Sequence, residues 1–287
     1  MKKLFFIFLT FLSLLSCKEN TPTTPPDEEE PPTDSLAIEG YDLVWNDEFN
    51  GSAIDMNKWS HEVNGYGGGN NELQYYTERG ANSFVENGFL TIMARKEHYT
   101  GSDGVTREYT SARMRTLNKG DWKYGRFEIR AKLPYGKGLW PAIWMLPTNW
   151  EYGGWAASGE IDIMELLGHE PEKVYGTIHY GGEYPNNVHS GSSYSIAAGI
   201  PTFAGEFHTF VLEWEETEIR WYVDSIKYAT QTEWYSSNAP YPAPFNKEFH
   251  LLLNVAVGGN WPGSPDATTI FPQTMLVDYV RVYKKKE

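Results

Sequence analysis

Gly125-Arg126-Phe127-Glu128-Ile129-Arg130-Ala131-Lys132-Leu133 alternates without a break. Phe127, Ile129, Ala131 and Leu133 fall on one face; Arg126, Glu128, Arg130 and Lys132 fall on the other. Period two is the signature of a half-buried strand. Ile219, Trp221 and Val223 alternate with Arg220, Tyr222 and Asp224 in the same way. Further strand-like runs are Leu43–Trp45, Leu90–Ala94, Ser111–Thr116, Ala142–Leu146, Ile161–Leu166, Val174–His179, His208–Trp214, His250–Val257 and Val277–Tyr283. Gly, Pro and Asn clusters separate them, and no segment carries an amphipathic helical pattern of useful length. The expected fold is all-β: a β-sandwich jelly roll of two antiparallel sheets.

The ends of the chain read differently. Met1-Lys2-Lys3 followed by the apolar run Leu4–Leu15 is too short to span a membrane and reads as a signal peptide, residues 1–16. Leu14-Leu15-Ser16-Cys17 resembles a bacterial lipobox, with Cys17 as the lipidated residue. By the same resemblance, Lys18 after the cysteine implies the outer membrane, with membrane contact through the lipid anchor alone. Acyl chains add ~0.8 kcal/mol per buried methylene, enough for a multiply acylated Cys17 to hold. Residues 17–35 carry five prolines and the run Asp27-Glu28-Glu29-Glu30 with almost no apolar residue, which predicts a disordered tether. Residues 36–287 read as one domain, expected to act as a monomer.

Composition narrows the function. The 287 residues hold 38 acids against 24 bases, a net charge of −14. That excludes a nucleic-acid binder, which needs a basic face. Six of the acids and three of the bases precede Leu36, so the body stays acidic. A single cysteine excludes a disulfide framework and a Cys-rich zinc site. Eleven Trp and 19 Tyr exceed what a core needs, so some rings are expected in a cleft.

Three acids crowd one apolar strand, Gly159-Glu160-Ile161-Asp162-Ile163-Met164-Glu165. Period two puts Glu160 and Asp162 on one face and Glu165 on the other. A β-bulge between Asp162 and Glu165 would bring all three together. Two long glutamates leaning toward each other then approach the ~5–5.5 Å carboxyl separation of a retaining glycosidase. Three close acids cannot all ionise cheaply, so at least one pKa rises, as a general acid requires. A divalent-metal site and a solvated acidic edge are the other readings of these residue types.

Gly159 to Glu165 resembles the active-site signature of glycoside hydrolase family 16, in its bulged form. The resemblance runs from about residue 42 to 284. It includes Trp45-Asn46-Asp47-Glu48-Phe49, Asn70-Asn71-Glu72-Leu73-Gln74-Tyr75-Tyr76, Tyr109-Thr110-Ser111-Ala112-Arg113, Leu139-Trp140-Pro141-Ala142-Ile143-Trp144, Thr177-Ile178-His179-Tyr180, Asn254-Val255-Ala256-Val257-Gly258-Gly259 and Val277-Asp278-Tyr279-Val280-Arg281. Each is weak alone; in this order they are strong. The pattern is most similar to the laminarinase branch, endo-β-1,3-glucanases, with mixed-linkage β-1,3-1,4-glucan as a further substrate.

That resemblance implies a concave substrate cleft with Glu160 as nucleophile, Glu165 as acid/base and Asp162 as their modulator. It implies sugar contacts at Trp140, Trp144, Trp155, Asn71, Arg113, His179 and Trp261. It also implies no organic cofactor and a structural Ca2+ held by the backbone oxygens of Glu48 and Gly88 and by the backbone and carboxylate of Asp278. One departure is Gly68, where many relatives carry a tryptophan; Tyr66 is the nearest substitute. The competing readings are activity on a red-algal galactan, which favours a basic cleft, and a non-catalytic carbohydrate-binding surface lipoprotein, which needs no acid triad.

Overall fold

Phe127, Ile129, Ala131 and Leu133 are all buried, as their alternation predicts. Their strand, Gly125–Lys132, runs inside a ten-stranded sheet between His208–Trp214 and Gln273–Lys285. The computed structural model describes residues 36–287, so Cys17 and the segments 1–16 and 17–35 lie outside the described residues.

A second sheet has eight strands. Its order is Asn187–Ser195, Lys173–Gly181, Glu160–Leu166, Leu139–Pro147, Phe249–Val257, Arg113–Arg115 and Ser60–His61, with Asp121–Trp122 also pairing to Phe249–Val257. Apolar side chains from both sheets meet between them, including Phe127, Phe210, Trp214 and Trp221 from one and Ile143, Ile161, Ile178 and Phe249 from the other. Fully burying such a side chain contributes about 1.5–3 kcal/mol, and this shared layer holds the sandwich together.

Two details differ from the expectation. Gln74–Tyr76 pairs in parallel with Tyr109–Ser111, so the pairing is not purely antiparallel. Ser111–Thr116, expected as one strand, is a corner. Thr106–Ser111 belongs to the ten-stranded sheet and Arg113–Arg115 to the eight-stranded one, with the fully buried Ala112 between them. A small side chain lets the backbone turn through the core there.

Candidate active site

The acidic strand, Glu160–Leu166, lies in the eight-stranded sheet between Leu139–Pro147 and Lys173–Gly181. Both neighbours report the bulge. On one side Asp162 faces Thr177 and Glu165 faces Tyr175, so three steps oppose two. On the other, Met164 faces Ile143 while Asp162 faces Trp144. Ile163 is therefore the extra residue, and Ile163 and Met164 both turn into the core. Glu160, Asp162 and Glu165 line a single cleft of about 710 Å³.

The opposite sheet pins this strand. Trp221 is fully buried and donates its indole N–H to the Asp162 carbonyl at 2.8 Å. Gly176 sits across from the bulge, between the partners of Asp162 and Glu165. A Cβ at Gly176 would stand 2.5 Å from the Trp221 ring, so only glycine lets that ring reach the strand.

Each outer acid is gripped by a tryptophan. Trp155 donates its indole N–H to Glu160 Oε2 at 2.8 Å, and Trp140 donates to Glu165 Oε1 at 3.0 Å. His179 pairs with Glu160 in register; its Nε2 is 3.3 Å from Asp162 Oδ2 and 3.7 Å from Glu160 Oε1. Asp162 is 3% exposed, and its Oδ2 has no hydrogen-bond partner.

The charge state follows from that burial. Burial pushes the Glu160 carboxyl up, and the neighbouring Asp162 adds to the rise, while His179 and the Trp155 N–H pull the other way. Burial also raises Asp162. Glu165 is raised by burial and then by Asp162, against the pull of His179 and Trp140. The cleft therefore keeps protons on part of this group at neutral pH, which a general acid needs.

Trp144 stands beside the acids and donates to Asn254 Oδ1 at 2.7 Å. Asn254 in turn donates to the Tyr76 hydroxyl at 3.2 Å. The Arg113 guanidinium lies 5.2 Å from the Trp144 ring centroid and 4.5 Å from that of Tyr76. It is paired with Glu62 at 3.3 Å and Glu72 at 3.7 Å.

Of the expected contacts, Trp140, Trp144, Trp155 and Arg113 line the cleft with the three acids. His179 touches the acids directly. Asn71 and Trp261 are exposed and outside the lining: Asn71 donates to Asn260 Oδ1 at 2.9 Å, and Trp261 packs edge-on against Trp140 at 5.5 Å. At Gly68 the backbone has φ of 55°, and a Cβ would meet the Glu72 carboxylate at 2.2 Å. Tyr66 is 71% exposed and outside the lining, so it does not replace the absent ring.

Sequence reasoning missed Glu72, Asn254, Tyr184 and Trp150, which also line the cleft. Asn254 left a signal, being the polar residue inside the apolar run Leu251–Val257. Trp150 and Tyr184 lie on loops, where no periodicity marks a direction.

A family model for glycosyl hydrolases family 16 matches residues 70–281. The chain belongs to glycosyl hydrolase family 16. It is 46% identical over 271 residues to "Glucan endo-1,3-beta-glucosidase A1" of Niallia circulans, covering 89% of this chain and 39% of that protein. It is 47% identical over 255 residues to a "Beta-glucanase" of Rhodothermus marinus, covering 85% of each. Among solved structures, the laminarinase catalytic domain of Thermotoga maritima aligns with a TM-score of 0.78 at 47% identity, covering 87% of this chain and all of that one.

The geometry bears on the two other readings of these acids, a metal site and a solvated edge. A 3% exposed Asp162 is no solvated edge. Among the described residues, Glu160, Asp162 and His179 form a group whose ligand atoms lie within 4.8 Å of one another. This set contains an imidazole, unlike the all-oxygen cage that suits calcium. At the other expected metal position, the Asp278 carboxylate is paired with Arg130, while the Glu48 carboxylate, whose backbone oxygen is the expected ligand, pairs with Arg281 at 2.7 and 2.9 Å.

Proposed function

We propose that this family 16 hydrolase is a retaining, endo-acting β-1,3-glucanase of the laminarinase type. The observation that carries the mechanism is the bulge: it puts Glu160, Asp162 and Glu165 on one cleft face, with a tryptophan N–H on each outer acid. The relatives' names supply the substrate class.

Glu160 attacks the anomeric carbon as the glycosidic C–O bond breaks, and Glu165 gives its proton to the departing oxygen. Water then enters, Glu165 takes its proton, and the resulting hydroxide displaces Glu160 from the sugar. Two displacements retain the anomeric configuration. The Trp155 N–H stabilises charge on Glu160 when it leaves. The Asp162 charge helps hold the proton on Glu165, while His179 and the Trp155 N–H favour the ionised Glu160 that attacks.

The acidic cleft favours a neutral glucan over a sulfated galactan. Arg113 is the one base among the described residues that line it, and Glu62 and Glu72 already neutralise that base. The intact acid triad speaks against a binding protein without activity. Incubation with laminarin and with mixed-linkage β-1,3-1,4-glucan tests the reading. It expects a ladder of short oligosaccharides from laminarin; no new reducing ends from either glucan, with folding demonstrated, would overturn it.

Two finer readings accompany this one. Cys17 in Leu14-Leu15-Ser16-Cys17 supports a lipid-anchored enzyme at the outer membrane. A structural calcium would use the backbone oxygens of Glu48 and Gly88 and the backbone and carboxylate of Asp278, and it would compete with Arg130 for that carboxylate. No step of the mechanism needs it.

A further inference from the structure

Trp150 lines the catalytic cleft and also lines a second cavity of about 260 Å³ beside it. That cavity is walled by Tyr152, Asn246, Lys247 and Glu151, none of which touches the cleft. Trp150 is thus the wall the two spaces share.

Its conformation is costly. The ring is 39% exposed, so apolar surface stays in water, and the backbone holds a left-handed φ of 52°. The loop fixes it there. The Tyr152 amide donates to Ser158 Oγ at 3.0 Å, and Ser158 Oγ donates to the Gly153 carbonyl at 2.6 Å. The Gly154 amide donates to Glu183 Oε1 at 2.6 Å, and Asn238 donates to the Tyr152 carbonyl at 2.5 Å. Backbone strain held by so many bonds is characteristic of a ligand clamp.

The small cavity has the chemistry of a sugar site. The Tyr152 hydroxyl donates to Asn246 Oδ1 at 2.9 Å. Lys247 and Glu151 pair at 2.5 Å, and Lys123 and Glu248 in the same wall add one charge of each sign. Donors and acceptors of both kinds thus surround aromatic faces, without a net charge that would select an anion. Pyranose rings need that mixture: an apolar face to stack on and polar groups for their hydroxyls.

We propose that this cavity is an accessory subsite, in which Trp150 carries a β-glucosyl unit of the same substrate that occupies the cleft. It rests on the β-glucan reading of that cleft. The unit comes either from the main chain, extended past the rim, or from a β-1,6 branch on it.

The test compares wild type and Trp150→Ala on a linear β-1,3-trisaccharide, a long linear β-1,3-glucan and a β-1,6-branched laminarin. The trisaccharide is too short to fill both spaces. For the polymers, kcat/KM should fall about fivefold to twentyfold, mainly through KM, and by several-fold more than for the trisaccharide. A loss on both polymers assigns the unit to the main chain; a loss on the branched glucan alone assigns it to the branch. Equal losses on all three substrates, or no loss on any, would overturn the proposal. Asn246→Ala, which alters the small cavity alone, should repeat the pattern at about twofold to fourfold; an unchanged polymer-to-trisaccharide ratio there overturns it even where Trp150→Ala fails to fold. Wild type that cleaves none of the three would instead remove the β-glucan reading underneath.

Discussion

The two sheets of this enzyme carry their acids in opposite ways. On the ten-stranded sheet, one cluster of acids is paired with arginines. Arg126 joins Glu128 and Glu213 at 2.5 Å each, and Arg220 joins Glu213, Glu215 and Glu218. Burial would raise Glu213, but hydrogen bonds from Tyr222, Arg220 and Arg126 hold its carboxyl below the usual range. On the cleft face, three acids share one bulged strand with tryptophan N–H groups and an imidazole, and among the described residues no arginine pairs with them. All three are raised. The same residue type on the same alternating pattern is structural where it is paired and chemically poised where it is not.

The largest effects should follow from breaking the unpaired side. Glu160→Gln should abolish turnover, and Glu165→Gln should lower kcat by about 10²–10⁴-fold, both with melting temperatures at or above that of wild type. Loss of stability alongside activity would make these acids structural. The paired side should behave in reverse. Glu213→Ala removes the carboxylate that Arg126, Arg220 and the Tyr222 hydroxyl share and should cost about 1–3 kcal/mol of stability, read by denaturant unfolding, while kcat on laminarin stays within twofold of wild type.

A smaller effect sharpens the contrast through pH. A carboxyl raised on folding costs nothing below its unfolded pKa, roughly 4–4.5, because it is protonated in both states. Stability is then lost as pH rises toward the folded values of about 8. The melting temperature of wild type should decline between pH 5 and 8, and Glu165→Gln should flatten that decline. An unchanged slope in the variant would mean that Glu165 does not titrate in this window.

Much of this contrast is legible in the sequence, for a physical reason. Alternation reports which face a side chain takes, so Phe127 to Leu133 and Ile219 to Val223 read directly. Three acids among Ile161, Ile163 and Met164 violate the expected burial of charge, and that violation marks the site. What alternation does not report is where a strand leaves its sheet. Ser111–Thr116 has one continuous pattern, yet Ala112 divides it between sheets. It is also silent on contacts made across the core. The Trp221 N–H on the Asp162 carbonyl, and the glycine at 176 that admits it, join residues far apart in the chain. Nor does it place loop residues, so Trp150 and Tyr184 emerge from the structure alone.

The central claim is that Glu160 becomes covalently linked to the sugar. Incubation with a 2-deoxy-2-fluoro β-glucosyl substrate bearing a good leaving group slows the second displacement and traps that species. Peptide mass spectrometry should then find one sugar adduct on the peptide carrying Glu160, with fragmentation placing it on that side chain. An adduct on Glu165, or none together with products of inverted configuration, would contradict the account.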